Sequence, residues 1–142
     1  MASMKQLLKG KGHDVWSIGP EASAYDAIEM MAEKEVGALV VTDGDSLVGV
    51  FSERDYARKV ALQGRSSRDT KIKEIMTTRV VYARPEQTVE ECMALMTDKR
   101  IRHLPVMDGD KLLGVISIGD LVKSIIEEQQ HVIEQLEQYI SR

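Results

Sequence analysis

Scarcity sets the first limits on this chain. A single cysteine, Cys92, stands among 142 residues, so neither an intrachain disulfide nor a cysteine metal cluster is available. Cys92 lies among apolar helix positions, where a buried, inert thiol is expected rather than a nucleophile. Aromatic residues are few, with one Trp, one Phe and four Tyr, which leaves the apolar volume to Leu, Val, Ile and Met. No apolar run approaches the ~20 residues of a membrane-spanning helix. The first residues lack the long apolar core of a secretory leader. A cytoplasmic location without a membrane partner is therefore expected. The net charge of −4 lacks the basic excess of a general nucleic-acid binder. The three histidines, His13, His103 and His131, are dispersed, with no carboxylate–histidine cluster at metal spacing. No catalytic residue and no metal ligand are assigned, and the chain is expected not to be an enzyme.

What the sequence does contain is a repeat. Gly114-Val115-Ile116-Ser117-Ile118-Gly119-Asp120 answers Gly49-Val50-Phe51-Ser52-Glu53-Arg54-Asp55, sixty-five positions upstream. The register holds without a gap: Val15 lies over Val80, Pro20-Glu21 over Pro85-Glu86, Met31 over Met96, and Asp43-Gly44-Asp45 over Asp108-Gly109-Asp110. Self-similarity at one fixed offset marks a duplicated supersecondary unit, and each copy alone would be marginal by size. The halves are expected to fold together and to carry two related sites.

The pattern along the chain supplies the elements. Met4, Leu7 and Leu8 take helical spacing behind Ser3, a candidate N-cap, and Lys9 to His13 reads as a flexible basic loop. Val15 to Ile18 reads as a short strand. Ser23 caps a helix to about Glu35, ended by Gly37, with Ala27, Ile28, Met31 and Ala32 on one face. Leu39 to Thr42 and Leu47 to Phe51 flank a hairpin turn, and a second helix leaves Ser52 and fades near Gly64. The second copy repeats this order, with Thr88 as a cap and a hairpin around Asp108-Gly109. The boundaries are then 1–14 for the N-terminal helix and loop, 15–62 and 80–126 for the repeats, 63–79 for a connector, and 127–142 for a helical extension. Ile72, Ile75 and Met76 open the second half as Met4, Leu7 and Leu8 open the first. The connector carries a local basic excess, for which a solvated linker is the simpler account and phosphate contact the other. The fold class is α+β, two β-α-β-β-α repeats paired about a pseudo-two-fold axis. The extension keeps an apolar stripe through Val132, Ile133, Leu136 and Ile140, which most simply packs on a second copy to make a homodimer.

Ser followed three residues later by Asp is a capping box, and both copies of the repeated motif satisfy that pattern. Two features add to it. The preceding glycine interrupts a β-branched run, which weakens a strand unless something approaches its backbone. The first helical turn also offers N–H groups and a positive dipole end to an anion. A hydroxyl there donates to phosphate, and a carboxylate accepts ribose hydroxyls. A second piece is Arg100-Ile101-Arg102-His103-Leu104-Pro105-Val106, whose counterpart Glu35 to Val41 places Gly37 and Ala38 where Arg102 and His103 stand. Alternation places Leu104 and Val106 toward the core and His103 away from it. Phosphate contact from Arg102 and His103 is the reading favoured over a solvated helix end.

These residues resemble a tandem cystathionine-β-synthase-type (CBS) domain pair, often called a Bateman module, over roughly Val15 to Ile126. The resemblance implies adenosine nucleotides bound in two clefts between the repeats: AMP first, with ATP, ADP or NAD as alternatives. It implies ribose contacts from Asp55 and Asp120, phosphate contacts near Ser52 and Ser117, and phosphate contacts from Arg102 and His103 beside Pro105. It also implies backbone contacts to adenine from Ser17-Ile18 and Tyr82-Ala83. Gly37 and Ala38 depart from the family pattern in the first repeat, where Arg54 or Arg65 stand as substitutes. The function implied is regulation, reporting nucleotide state to an effector protein in trans. The rival readings are a structural dimerisation module with vestigial clefts, an NAD(H)-responsive redox sensor, and a small phosphohydrolase.

Overall fold

Five helices begin at a hydroxyl side chain that the local sequence supplies as a cap, three of them outside the repeated motif. The computed structural model, which describes residues 1–141, starts helix α1 (Met4–Lys11) at Ser3, α2 (Ala24–Lys34) at Ser23 and α5 (Val89–Lys99) at Thr88. In each case the cap hydroxyl accepts from the third helical amide, and Gln6 and Glu91 return the bond to complete capping boxes. Helix α2 ends where expected, near Glu35, but on a different stop residue. Glu35, rather than Gly37, takes the left-handed conformation at φ 54°, and Arg100 does the same after α5 at φ 55°.

The chain forms two compact units, one made of Asp14–Val81 and the other of Met1–His13 together with the chain from Tyr82 on. In the first, β1 (Ser17–Ile18) runs parallel to β2 (Ala38–Asp43), which pairs antiparallel with β3 (Ser46–Ser52), in the order β1-β2-β3. A short helix α3 (Glu53–Tyr56) follows and widens into a π-helical turn over Ala57–Ala61. Helix α4 (Ile72–Ile75) completes the unit. In the second unit, β4 (His103–Asp108) pairs antiparallel with β5 (Lys111–Ser117), and α6 runs from Ile118 to Ile140. Both hairpins turn through two residues, with Gly44 at φ 62° and Gly109 at φ 58° supplying the left-handed position. The α+β reading and the doubled order of elements stand.

The opening strand of the second repeat is reduced to one parallel bridge between Ala83 and Val106. Ala83 N–H donates to Pro105 C=O, and Met107 N–H donates to Ala83 C=O. The next bond of a parallel ladder would be donated by residue 105, and proline has no N–H to give. Val40 occupies the matching place in the first repeat, where two residues pair. Alternation along β4 also fails: Leu104, Pro105 and Val106 are all buried, as are Leu39, Val40 and Val41 in β2, so both faces of these strands are covered.

The segment that opens each repeat in sequence packs on the other repeat. Ser3 bridges to Thr88 and Lys71 to Ser23. Met4 N–H donates to Gln87 C=O just as Ile72 N–H donates to Ala22 C=O. Met4, Leu8, Ile72 and Ile75 are buried through these contacts, so the connector is packed around Thr70 to Ile75, while residues 63–69 remain a largely exposed linker. Much of its positive charge is engaged locally. Glu21 receives Lys71 at 2.9 Å and Lys73 at 2.8 Å, and these two bonds hold its carboxyl down to about 2. Arg68 lies over the Tyr25 ring at 3.9 Å. Cys92 is fully buried, and that burial, with the charge of Glu91, pushes its thiol up to about 11.

The glycine inside each motif strand is explained by this packing. A Cβ on Gly114 would stand 2.6 Å from Leu8 Cδ2, and one on Gly49 would stand 2.7 Å from Met76 Sδ and 3.0 Å from the Thr77 carbonyl. What approaches the backbone is therefore the chain's own lead-in segment. We expect Gly114→Ala to destabilise by about 1–3 kcal/mol through overpacking. In a Leu8→Ala background the same change should cost measurably less, with a coupling of at least about 0.5 kcal/mol. Urea denaturation of the four variants measures it, and simple additivity would show that Leu8 is not the obstructing group.

Candidate functional site

Both copies of the Ser-x-x-Asp motif sit where a strand hands over to a helix, and both build the same capping box. Ser52 N–H donates to Asp55 Oδ2 at 3.0 Å and Asp55 N–H donates to Ser52 Oγ at 3.2 Å. The corresponding distances at Ser117 and Asp120 are 2.8 and 3.2 Å. Each serine hydroxyl also donates to its aspartate, at 3.1 Å in the first repeat and 3.0 Å in the second. The first amide of each turn is occupied as well: Glu53 N–H donates to Gly37 C=O, and Ile118 N–H to Arg102 C=O. The first and third amides of the turn are therefore spent within the protein, and the carboxylates remain as the distinctive chemistry.

The two carboxylates are held differently. Asp55 takes the Thr77 hydroxyl at 3.2 Å on Oδ1 and 3.4 Å on Oδ2, and Lys59 Nζ lies 3.3 Å from Oδ1. Both oxygens of Asp55 are engaged. Among the described residues, the polar partners of Asp120 converge on Oδ2, and they include the Lys11 ammonium at 2.6 Å. Lys11 also donates to Val115 C=O at 2.8 Å. The matching carbonyl in the first repeat, Val50, accepts instead from the Thr77 backbone amide at 2.9 Å. One ammonium thus does in the second repeat what the amide and hydroxyl of Thr77 do together in the first. Burial pushes the Asp120 carboxyl up, but the Lys11 ammonium and the Ser117 bonds outweigh it and hold the group below its ordinary value.

The remaining residues singled out from the sequence fall into two sets. His103 lies directly across from Ser117 in the β4–β5 register, with Arg102 one residue before it, and Ala38 lies across from Ser52, with Gly37 before it. The structure therefore brings these positions to the motif in both units. Ser17 and Ile18 pair with Val40 and Val41 on the far side of β2 from β3, two strand spacings or about 10 Å from the motif strand. Tyr82, half exposed, and Ala83, fully buried, reach β4 through the single bridge opposite Val106, and Pro105, the residue before Val106 in β4, is buried. Arg54, exposed, occupies the turn between Ser52 and Asp55. Arg65 pairs with Glu74 at 2.8 Å and not with the motif. The residues that sequence reasoning passed over are Lys11, Lys59 and Thr77. Lys11 belongs to α1, not to a loose loop, and His13 Nδ1 lies 2.9 Å from Leu113 C=O. The available signal was that this lead-in is three residues longer than its counterpart and basic there. Among the described residues no group of three His, Cys, Asp or Glu side chains is placed to hold a metal ion, and no helix is long and apolar enough to cross a membrane.

A depressed carboxyl stabilises the fold above its unfolded value, near ~3.9, and the contribution is lost as pH falls through the folded value. The pair is partly exposed, so its effect is about 1 kcal/mol or less. Lys11→Met should raise the pH at which the Asp120 carboxyl carbon titrates by NMR. It should also lower Tm at pH 7, by an amount that shrinks below about pH 4. An unmoved Asp120 titration would remove Lys11 from the site.

Comparison with known proteins identifies the family. The family model described as CBS domain matches residues 12–62 and again residues 72–127. The CBS domain-containing protein CBSX3, mitochondrial, of Arabidopsis thaliana is 41% identical over 140 residues, covering 93% of this chain and 68% of that one. A solved protein with CBS domains from Burkholderia ambifaria MC40-6 shares 54% identity at a TM-score of 0.87, covering 90% of this chain and 96% of the other. A CBS domain pair solved with 5′-methylthioadenosine and S-adenosyl-L-methionine shares the fold at a TM-score of 0.80 and 22% identity, covering 90% and 98%. The chain belongs to the CBS-domain family, as a tandem pair of CBS domains.

Proposed function

We propose that this tandem pair is a regulatory module that binds adenosine nucleotides, AMP foremost, and performs no chemistry on them. ATP, ADP and NAD share the adenosine portion and are the alternative ligands. The observation that carries the reading is the second-repeat motif. Asp120, partly buried, is bonded through one oxygen and stands 2.6 Å from the Lys11 ammonium. A carboxylate accepts the two hydroxyls of a ribose, and an ammonium beside it favours a phosphate. Adenine recognition falls to the backbone of Tyr82, since the N–H and C=O of Ala83 are taken by Pro105 and Met107, and to Ser17-Ile18 in the first repeat. A CBS pair of the same fold was solved with two adenosine-containing compounds, which supports the ligand class.

The two motifs are expected to differ. Arg102, His103 and Lys11 gather cationic or donor groups near Ser117, whereas Gly37 and Ala38 supply none near Ser52. Asp55, with both oxygens engaged, must give up Thr77 or Lys59 before it accepts a ribose. Calorimetric titration with adenosine and AMP tests this. Asp120→Ala should weaken both ligands together, by about ten- to a hundredfold for a lost bond to a charged group. Arg102→Ala should weaken AMP and leave adenosine nearly unchanged. Equal losses for both ligands in Arg102→Ala would end its phosphate role. No binding of any adenosine nucleotide at millimolar concentration would favour a purely structural module, and turnover of a bound nucleotide would make the chain an enzyme.

We also infer a homodimer built on α6. From Ile126 to Ile140 the helix is exposed, with Ile133, Leu136 and Ile140 at 47, 56 and 79%. Val122, Ile125, Gln129, Val132, Leu136 and Tyr139 alternate spacings of three and four, the period of a helix-pairing seam. A second copy supplies the matching apolar face. Ending the chain before Val132 should shift the sedimentation-equilibrium mass at micromolar protein toward the monomer, whereas a full-length monomer would reject the dimer.

A further inference from the structure

The helix after the first motif changes pitch one turn past Asp55. Leu62 N–H donates to Ala57 C=O and Arg65 N–H to Val60 C=O, both across five residues. Such π-helical turns recur at functional positions because they re-aim side chains. Here the turn borders an open pocket of about 390 Å³ lined by Arg58, Lys59, Gln63, Arg65, Glu74 and Ile75. The lining holds three cations and one carboxylate, in a chain whose net charge is −4. That carboxylate is already committed: Glu74 takes Arg65 on Oε1 at 2.8 Å and the Lys71 amide on Oε2 at 2.8 Å. Lys59 donates to Ile75 C=O at 3.1 Å, which fixes its ammonium at the rim. Arg58 forms no ion pair among the described residues.

The fold does not require this charge. Sixty-five positions on, the helix of the second repeat carries Lys123 and Ser124 in place of Arg58 and Lys59, and where the chain leaves the helix at Gln63 and Arg65 in the first repeat, α6 continues through Glu128 and Gln130. Within the shared helix the second copy loses one cation, and beyond it the second copy has an acid and an amide where the first has Gln63 and Arg65. We propose that the first-repeat pocket is a separate anion site for the phosphate or diphosphate group of a small molecule. Arg58 and Arg65 present planar donor forks that match phosphate oxygens, and Lys59 supplies a point charge. Arg65 exchanges Glu74 for the ligand on binding. The pocket is open, so binding is weakened by salt.

Inorganic pyrophosphate is the direct probe, because it has no ribose for the motif aspartates to accept; Lys59, 3.3 Å from Asp55 Oδ1, is the one cation that the pocket shares with an aspartate site. In wild-type protein it should shift the backbone amide signals of Ala57 to Gln63 and Ile75 in ¹H–¹⁵N spectra at millimolar concentration. Arg58→Ala/Arg65→Ala should lower pyrophosphate affinity by about tenfold or more, and Arg58→Lys/Arg65→Lys should recover part of the loss. Lys123→Ala, the second-repeat equivalent, should change nothing. ADP distinguishes the source of the group: equal losses for ADP and pyrophosphate in the double alanine variant assign the phosphate group itself. Loss for ADP alone, unchanged pyrophosphate binding in that variant, or no amide shifts in the wild type would each overturn the proposal.

Discussion

Each repeat is organised around the insertion of a lead-in side chain beneath a strand glycine, Leu8 at Gly114 and Met76 at Gly49. Hydrogen atoms at Gly114 and Gly49 leave room that any Cβ would fill, and the lead-in segments seat there. Backbone bonds at Met4 and Lys5, and at Ile72 and Lys73, fix the same segments along the neighbouring loop. Seating them buries Met4, Leu8, Ile72 and Ile75 and places Lys11 and Thr77 at the carboxylates. The chemistry of both motifs therefore rests on a packing decision made several residues away.

That dependence separates two copies that read alike. The capping boxes agree to within about 0.2 Å in each bond. The groups laid against the carboxylates do not agree, because the lead-ins differ in length and composition. A threonine presents an amide and a hydroxyl at short reach, whereas a lysine reaches the same two acceptors with one flexible charge. The outcome, among the described residues, is a carboxylate engaged on both oxygens in one repeat and on Oδ2 in the other. Duplication has kept the scaffold and let the contacts diverge.

The same division runs through the surface charge. In the first repeat the helix after the motif carries Arg58 and Lys59 on a π-helical turn; in the second it continues as α6 with acids and an apolar seam. A solvent-facing helix position tolerates either choice, so the two copies were free to diverge there.

The elements that obey local rules were legible in the residues alone. Caps at Ser3, Ser23, Ser52, Thr88 and Ser117 act over three residues, the hairpin turns over two, and the period of 65 displays the duplication directly. The same reading pointed to Asp55 and Asp120, because the motif recurs in one strand-to-helix context. It placed the end of α2 but named the wrong stop, since Glu35 takes the left-handed position before Gly37 is reached. It also missed the shortened opening strand of the second repeat, although Pro105 held the reason. What stands beside the motifs was settled by packing. Lys11 and Asp120 lie 109 positions apart, and Leu8 reaches Gly114 over a similar separation. Nothing in local propensity or period encodes such a pairing. It follows from which face each lead-in buries, and that is fixed only when the chain packs.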